Sequence, residues 1–227
     1  MLLVVAILVW IGLHLWGLER HPVPTCDEAH YSAAAYTLLK TGKFGLPFFA
    51  NLAGVGESFI AYGRLVILGQ SMVQVFFGPT LFSARLFSLL GVCVLMLAVY
   101  GLAITLYDRR VGQWAAMLVA ADWAVFMQSH SGRPDIWISA ASFLSLYLVF
   151  WLARNPSTWR ALLTGFVVAL LEDVHLNGIH FILAVSAIAA YMLLVEQRQW
   201  KLFGVYSIGG LLGAFYFVVA HLFPDPI

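Results

Sequence analysis

The chain has 227 residues, 62% of them hydrophobic and 10% charged, with a formal net charge of +1. A mean hydropathy of +0.90 excludes an ordinary soluble domain and indicates a polytopic membrane protein, and the near-neutral charge argues against nucleic acid as a partner. The two cysteines, Cys26 and Cys93, fall at different expected depths, one at the membrane surface and one inside a span, so no disulfide is expected between them.

In chain order, the first expected span is Leu2–Leu18. It lacks a basic leading region and a convincing small-residue cleavage site, and it reads as a retained helix. Glu19-Arg20-His21 with Pro22 and Pro24 ends it. A long first outer loop, residues 19–79, follows. It begins with Cys26-Asp27-Glu28-Ala29-His30-Tyr31, which opens a helix running to about Lys40 and stopping at Gly42. A Gly/Pro-rich turn (Gly42 to Pro47), a loop around Gly54-Val55-Gly56-Glu57 and a moderately apolar stretch, Ser58–Phe77, complete the loop. Arg64, Gln70 and Gln74 interrupt that stretch, so it reads as a helix at the interface or packed on the bundle.

The second span starts after Gly78-Pro79, carries Arg85 near its beginning, reaches Tyr107 and is closed by Asp108-Arg109-Arg110. The third is Val111–Gln128, with Asp122 well inside it, read first as a packing partner for a neighbouring helix and second as part of a donor pocket. The polar connection from Ser129 to Asp135 leads to the fourth span, Ile136–Ala153. The fifth, Ala161–Leu171, is short, extends into Glu172-Asp173-Val174-His175 and is broken by Asn177-Gly178. The sixth is Ile179–Val195 and the seventh Leu202–His221. The tail after it is too short to fold, and no internal repeat is visible. The expectation is an all-α membrane protein of about seven transmembrane helices, a single module over 1–227 with juxtamembrane helices in its first loop.

Three short connections, at Arg109/Arg110, Arg154/Arg160 and Arg198/Lys201, hold six of the twelve basic residues, and the other six (Arg20, Lys40, Lys43, Arg64, Arg85, Arg133) fall on the opposite side or just inside it, so a bare count is a tie. Weighting short loops and span ends makes the three connections cytoplasmic. Most acids, including Asp27, Glu28, Glu57, Asp135, Glu172, Asp173 and Asp225, then fall on the outer side.

That outer face gathers three segments: Asp27–Tyr31, His130–Asp135 and Glu172–Asn177. On a helix Asp27, His30 and Tyr31 share one face while Glu28 points about 100° away. Asp27 and Glu28 either cap and charge-match the helix start or act in chemistry. A carboxylate there can deprotonate an incoming hydroxyl or amine, and a cation can stabilise a departing phosphate. Arg133 is a bidentate phosphate ligand or a lipid-headgroup anchor. Asp135, next to Pro134, is a favourable first-turn acid or part of the site. Arg85 and His130 complete the candidate phosphate-binding set, although for Arg85 a simple lipid-headgroup contact is the favoured reading. His30, Tyr31, Asp173, His175 and Asn177 are candidates for lining an acceptor or donor pocket. Asp173, His175 and an acid of the first loop could form a mixed O/N metal site, or serve as hydrogen-bonded residues of a broken helix. No HExxH or cysteine-based metal signature is present, and no cofactor is expected.

The ordered set Asp27-Glu28-Ala29-His30-Tyr31, Gly78-Pro79, Ala84-Arg85-Leu86, Arg133-Pro134-Asp135 and His175-Leu176-Asn177-Gly178 resembles the GT-C superfamily of membrane glycosyltransferases. The branch it is most similar to is that of the protein O-mannosyltransferases and the bacterial aminoarabinose (lipid A) transferases. The resemblance implies a polyprenyl-phosphate sugar donor and an inverting, metal-independent transfer on the extracytoplasmic face of a bacterial inner membrane or its equivalent. It implies Asp27 as base, with Glu28 and Arg133–Asp135 shaping the donor site. Family members usually continue into more spans, so the resemblance covers the catalytic-module part, and a second subunit is one source of an acceptor site. The rival readings are a transporter or flippase whose substrate path is lined by the same acids, and a non-catalytic relative that binds lipid phosphate.

Overall fold

The computed structural model describes residues 2–46, 49 and 63–222, all of whose regular elements are helical. The expected loop around Glu57, the start of the Ser58–Phe77 stretch and the C-terminal tail lie outside the described residues. Helix α1 is Leu2–Gly17 and α2 is Cys26–Thr41. Thr25 starts α2 through a capping box: its hydroxyl accepts from the Glu28 N–H while the Glu28 carboxylate accepts from the Thr25 N–H. Gly42 ends it at φ 75°, a left-handed conformation that glycine adopts without a Cβ clash. Helix α3, Arg64–Phe77, lies against α2, where Gln74 donates to the Ser32 carbonyl and hydroxyl at 3.1 and 3.0 Å. Ala34, Ala35, Leu46 and Ile67 form the buried seam between them.

The remaining helices are α4 (Leu81–Leu106), α5 (Arg109–Ala121), α6 (Trp123–Ser129), α7 (Asp135–Arg154), α8 (Thr158–Ala169), α9 (Leu171–Val174), α10 (Gly178–Ala190, continuing as a π-turn over Tyr191–Glu196) and α11 (Trp200–Leu222). Among the described residues four segments are long and apolar enough to cross a membrane: Leu81–Leu106, Asp135–Arg154, Gly178–Glu196 and Trp200–His221. These correspond to the expected second, fourth, sixth and seventh spans.

The other three expected spans take shorter forms. Helix α1 has 16 residues, or about 24 Å of rise, against a hydrocarbon core of about 30 Å. The third is not one helix. Asp122 leaves helical geometry (φ −74°, ψ 131°) and its carboxylate caps α6 by accepting from the Val125 N–H at 2.9 Å. Asp122 is exposed, which corrects its expected role as a buried packing partner. The fifth is divided at Leu170 into a 12-residue and a 4-residue helix.

Helices α4 and α7 run parallel, with Gly91 against Ile136 and Trp137 and, farther along, Gly101 against Tyr147. Helices α8 and α11 are also parallel and so close that Gly165 rests on the Tyr206 carbonyl and Gly209 on the Leu162 carbonyl. The core between α7, α8, α10 and α11 is built from Val149, Leu152, Val168, Val185, Leu193 and Tyr206. Gln197 donates to the Ala153 carbonyl at 2.8 Å, bringing the C-terminal ends of α7 and α10 together. The alternation of directions collects the three short basic connections at one end of the helices. The acidic segments collect at the other.

Candidate active site

The acidic end is organised around a buried ion pair. Arg85 of α4 is fully enclosed and Glu28 of α2 is 2% exposed. Their contact is forked, with Arg85 Nε donating to Glu28 Oε1 at 2.8 Å and Nη2 to Oε2 at 3.1 Å. The remaining Arg85 donors reach the Leu18 and Pro22 carbonyls, each at 2.9 Å. Glu28 also accepts from the Gly132 N–H at 2.8 Å and the Thr25 N–H at 2.9 Å. A buried carboxylate is costly unless its lone pairs are filled by donors, and here four donors fill them. Burial pushes the pKa of Glu28 up, but Arg85's hydrogen bonds and charge and the two backbone N–H groups outweigh it and hold the carboxyl below its ordinary range.

This pair determines where the exposed charges stand. With Glu28 turned inward, its neighbour Asp27 faces outward on α2. With the Gly132 N–H tied to Glu28, the next residue, Arg133, is placed opposite Asp27. Ser88 of α4 reinforces the loop by donating to the Ser131 carbonyl at 2.6 Å. A Cβ on Gly132 would come within 2.9 Å of the Ala84 Cβ, so the loop approaches α4 too closely for a side chain without a shift. The outcome is a row of three half-exposed groups. Arg133 Nη1 lies 3.1 Å from Asp27 Oδ2, and Arg133 Nε lies 2.8 Å from Asp135 Oδ2. Their side chains are 44% (Asp27), 39% (Arg133) and 31% (Asp135) exposed.

The other candidates divide by burial. His30 is half-buried beside Phe49, ring centroids 5.4 Å apart, and Tyr31 is 7% exposed. Arg85 and His130, expected among the phosphate-binding residues, are enclosed in the fold. His130 is 0% exposed, packs on Phe126 and His14, and has ring nitrogens within 2.8 Å of Ser129 Oγ and 3.3 Å of the His14 carbonyl. Both arginine and imidazole are thus committed to internal partners, which corrects the expectation that they face a ligand directly.

Asp173 is likewise 0% exposed. It accepts from the Arg64 N–H at 3.0 Å and the Tyr216 hydroxyl at 3.1 Å, and pairs with His221 at 2.5 Å, joining α9 to α3 and α11. That arrangement is structural, and it separates Asp173 from the exposed row. His175 is half-buried and Asn177 exposed at the α9–α10 turn, where His175 Nδ1 accepts from the Asn177 N–H at 3.0 Å. Among the described residues no cluster of three or more His, Cys, Asp and Glu side chains has metal-binding geometry.

Gly132, Ser88, Tyr216 and His221 were not singled out from the sequence as site-forming residues. Their partners lie 104, 43, 43 and 48 residues away respectively, and neither a backbone N–H nor a lone hydroxyl leaves a motif.

The family model described as dolichyl-phosphate-mannose-protein mannosyltransferase matches residues 66–223. The match takes in Arg85, Arg133 and Asp135 and begins after α2. Among curated proteins, the chain is 27% identical over 201 residues to the undecaprenyl phosphate-alpha-4-amino-4-deoxy-L-arabinose arabinosyl transferase of Pseudomonas aeruginosa (strain UCBPP-PA14). It is 27% identical to the protein of the same name in Pseudomonas paraeruginosa (strain DSM 24068 / PA7). In both cases the similarity covers 86% of this chain and 35% of the relative, so the chain spans about a third of the length of these relatives. No solved structure matches significantly.

Proposed function

This chain belongs to the dolichyl-phosphate-mannose-protein mannosyltransferase family, and on that basis we propose that it is the core of a glycosyltransferase that takes a sugar from a polyprenyl-phosphate donor. The seven-crossing reading belongs to the same proposal: the four membrane-length helices are supplemented by α1, by α5–α6 and by α8–α9, with the acidic end extracytoplasmic.

The observation that carries the proposal is the row Asp27–Arg133–Asp135, presented by a buried Glu28–Arg85 pair. A half-exposed ion pair contributes only about 0–1 kcal/mol, so a phosphate can replace Asp27 on Arg133 at little cost. Asp135 then keeps the guanidinium oriented, and Asp27 is released as a free carboxylate beside the donor. Asp27 takes the proton of an acceptor hydroxyl or amine, whose lone pair forms the new bond to the anomeric carbon. The bond from that carbon to the phosphate oxygen breaks, and the electron pair leaves on the lipid phosphate, neutralised by Arg133. Attack from the face opposite the phosphate inverts the anomeric centre. His30 and Tyr31, on the same side of α2 as Asp27, and His175 and Asn177 at the α9–α10 turn are proposed to border the acceptor or donor sugar. Asp173 supports that turn from within.

The test is to incubate membranes containing the protein with radiolabelled polyprenyl-phosphate sugars and follow release of free lipid phosphate. Release coupled to transfer of the label onto a lipid, glycan or protein acceptor supports the proposal. Movement of intact donor across the membrane without cleavage would instead establish the transporter reading. Binding of donor with neither outcome would establish a non-catalytic relative.

A further inference from the structure

We propose that the groove between α1, α4 and α5 is a binding site for an anionic phospholipid, with an acyl chain in the groove and the phosphate on Arg110. The groove encloses a cavity of about 760 Å³, lined by Trp10, Met96, Tyr100, Trp114 and Met117, with Arg110 as its one cationic residue among the described residues. Its volume is in the range that holds a ligand rather than a few waters.

Depth and charge specify the occupant. Helix α4 is a membrane-length helix ending at Leu106, so the turn carrying Arg109 and Arg110 sits at a membrane surface. From Arg110 to Ala121, the far end of the lining on α5, eleven residues rise about 16 Å. Half of a hydrocarbon core of about 30 Å is about 15 Å, so the groove is as long as one leaflet is deep. Leu97, Trp114 and Met117 on its rim are exposed, opening it sideways to chains.

At the surface end, Asp108 is occupied as the α5 cap, its Oδ1 accepting from the Arg110 and Val111 N–H groups at 2.7 and 2.9 Å. The Arg110 side chain has no hydrogen-bond or ion-pair partner among the described residues. A cationic head above a leaflet-deep apolar slot is complementary to a lipid with one phosphate charge and a long chain. This site is distinct from the Asp27–Arg133–Asp135 row. Arg85 lies near the opposite end of α4, whose 26 residues separate the two ends by about 39 Å.

The test uses the whole protein in nanodiscs of zwitterionic lipid, doped with brominated-chain phosphatidylglycerol or, separately, brominated-chain phosphatidylcholine. Bromine quenches tryptophan on contact, and Trp10 and Trp114 both line the groove. The anionic lipid is expected to be enriched about fivefold at the site over the zwitterionic one, the preference that one arginine at a membrane surface supplies. Arg110→Gln should abolish the preference, and Ala116→Phe, which fills the groove, should reduce quenching by the anionic lipid. Arg110 is exposed, so its replacement leaves the fold in place. Equal quenching by the two lipids would overturn the proposal. So would a preference that survives Arg110→Gln but is lost in Arg109→Gln, or a groove occupied by a second copy of the chain, read as protein–protein crosslinks through a cysteine at Met117.

Discussion

At the scale of single residues, adjacent acids on α2 have different tasks. Glu28 is an internal strut, and Asp27 is the half-exposed group proposed as the base, because successive side chains on a helix diverge by about 100°. Removing one member of a buried pair leaves the other charge uncompensated, so Glu28→Gln and Arg85→Gln should each lower stability by about 3–5 kcal/mol. Because they share one interaction, the double variant should lose less than the sum of the two. Equilibrium unfolding of the three variants measures this, and additive losses would separate the pair. The same strut sets a pH dependence. The Glu28 carboxyl is held below its ordinary value of 4.5, so its contribution is full above that value and is lost as pH falls through the lowered one. Unfolding measured from pH 7 to pH 3 should show a decline beginning near pH 4.5 that is absent in Glu28→Gln.

At the scale of elements, glycine contacts decide how closely helices approach. A Cβ on Gly165 would overlap the Tyr206 carbonyl, which is backbone and cannot rotate away. Gly165→Ala should therefore force α8 and α11 apart and destabilise the protein by more than about 1 kcal/mol. Gly204→Ala, whose added methyl meets nothing within 4 Å, should be neutral or slightly stabilising, since alanine favours helix by about 1 kcal/mol. Thermal unfolding of the two variants distinguishes these outcomes. Elements with local signals were legible in the sequence: α2 stops at Gly42, and α4, α7 and α11 follow from long apolar runs, whereas the cap of α2 is Thr25 and not the expected Asp27. The break at Asp122 was not. An aspartate within an apolar stretch reads equally as a buried partner or as a cap, and only the backbone at Asp122 distinguishes them. The candidate row was readable from its chemistry, as Asp27, Arg133 and Asp135. The role of Arg85 was not, because its partner lies 57 residues away and only the folded chain shows the guanidinium to be enclosed.

At the scale of the whole molecule, alternating helix directions separate a basic end from an acidic one, and the proposed reaction belongs to the acidic end. A cysteine at Asn155, in the exposed turn between α7 and α8, should react only with reagents that cross the membrane, and labelling by an impermeant reagent from outside would reverse the orientation. On the proposed mechanism the exposed row divides binding from chemistry, and polyprenyl-phosphate donor binding and turnover measured separately in two variants test that division. Asp27→Asn should keep donor binding and lose about 10²–10⁴-fold in turnover. Arg133→Ala should weaken donor binding, because the phosphate loses its forked cation. Full turnover in Asp27→Asn, or undiminished donor binding in Arg133→Ala, would contradict the account.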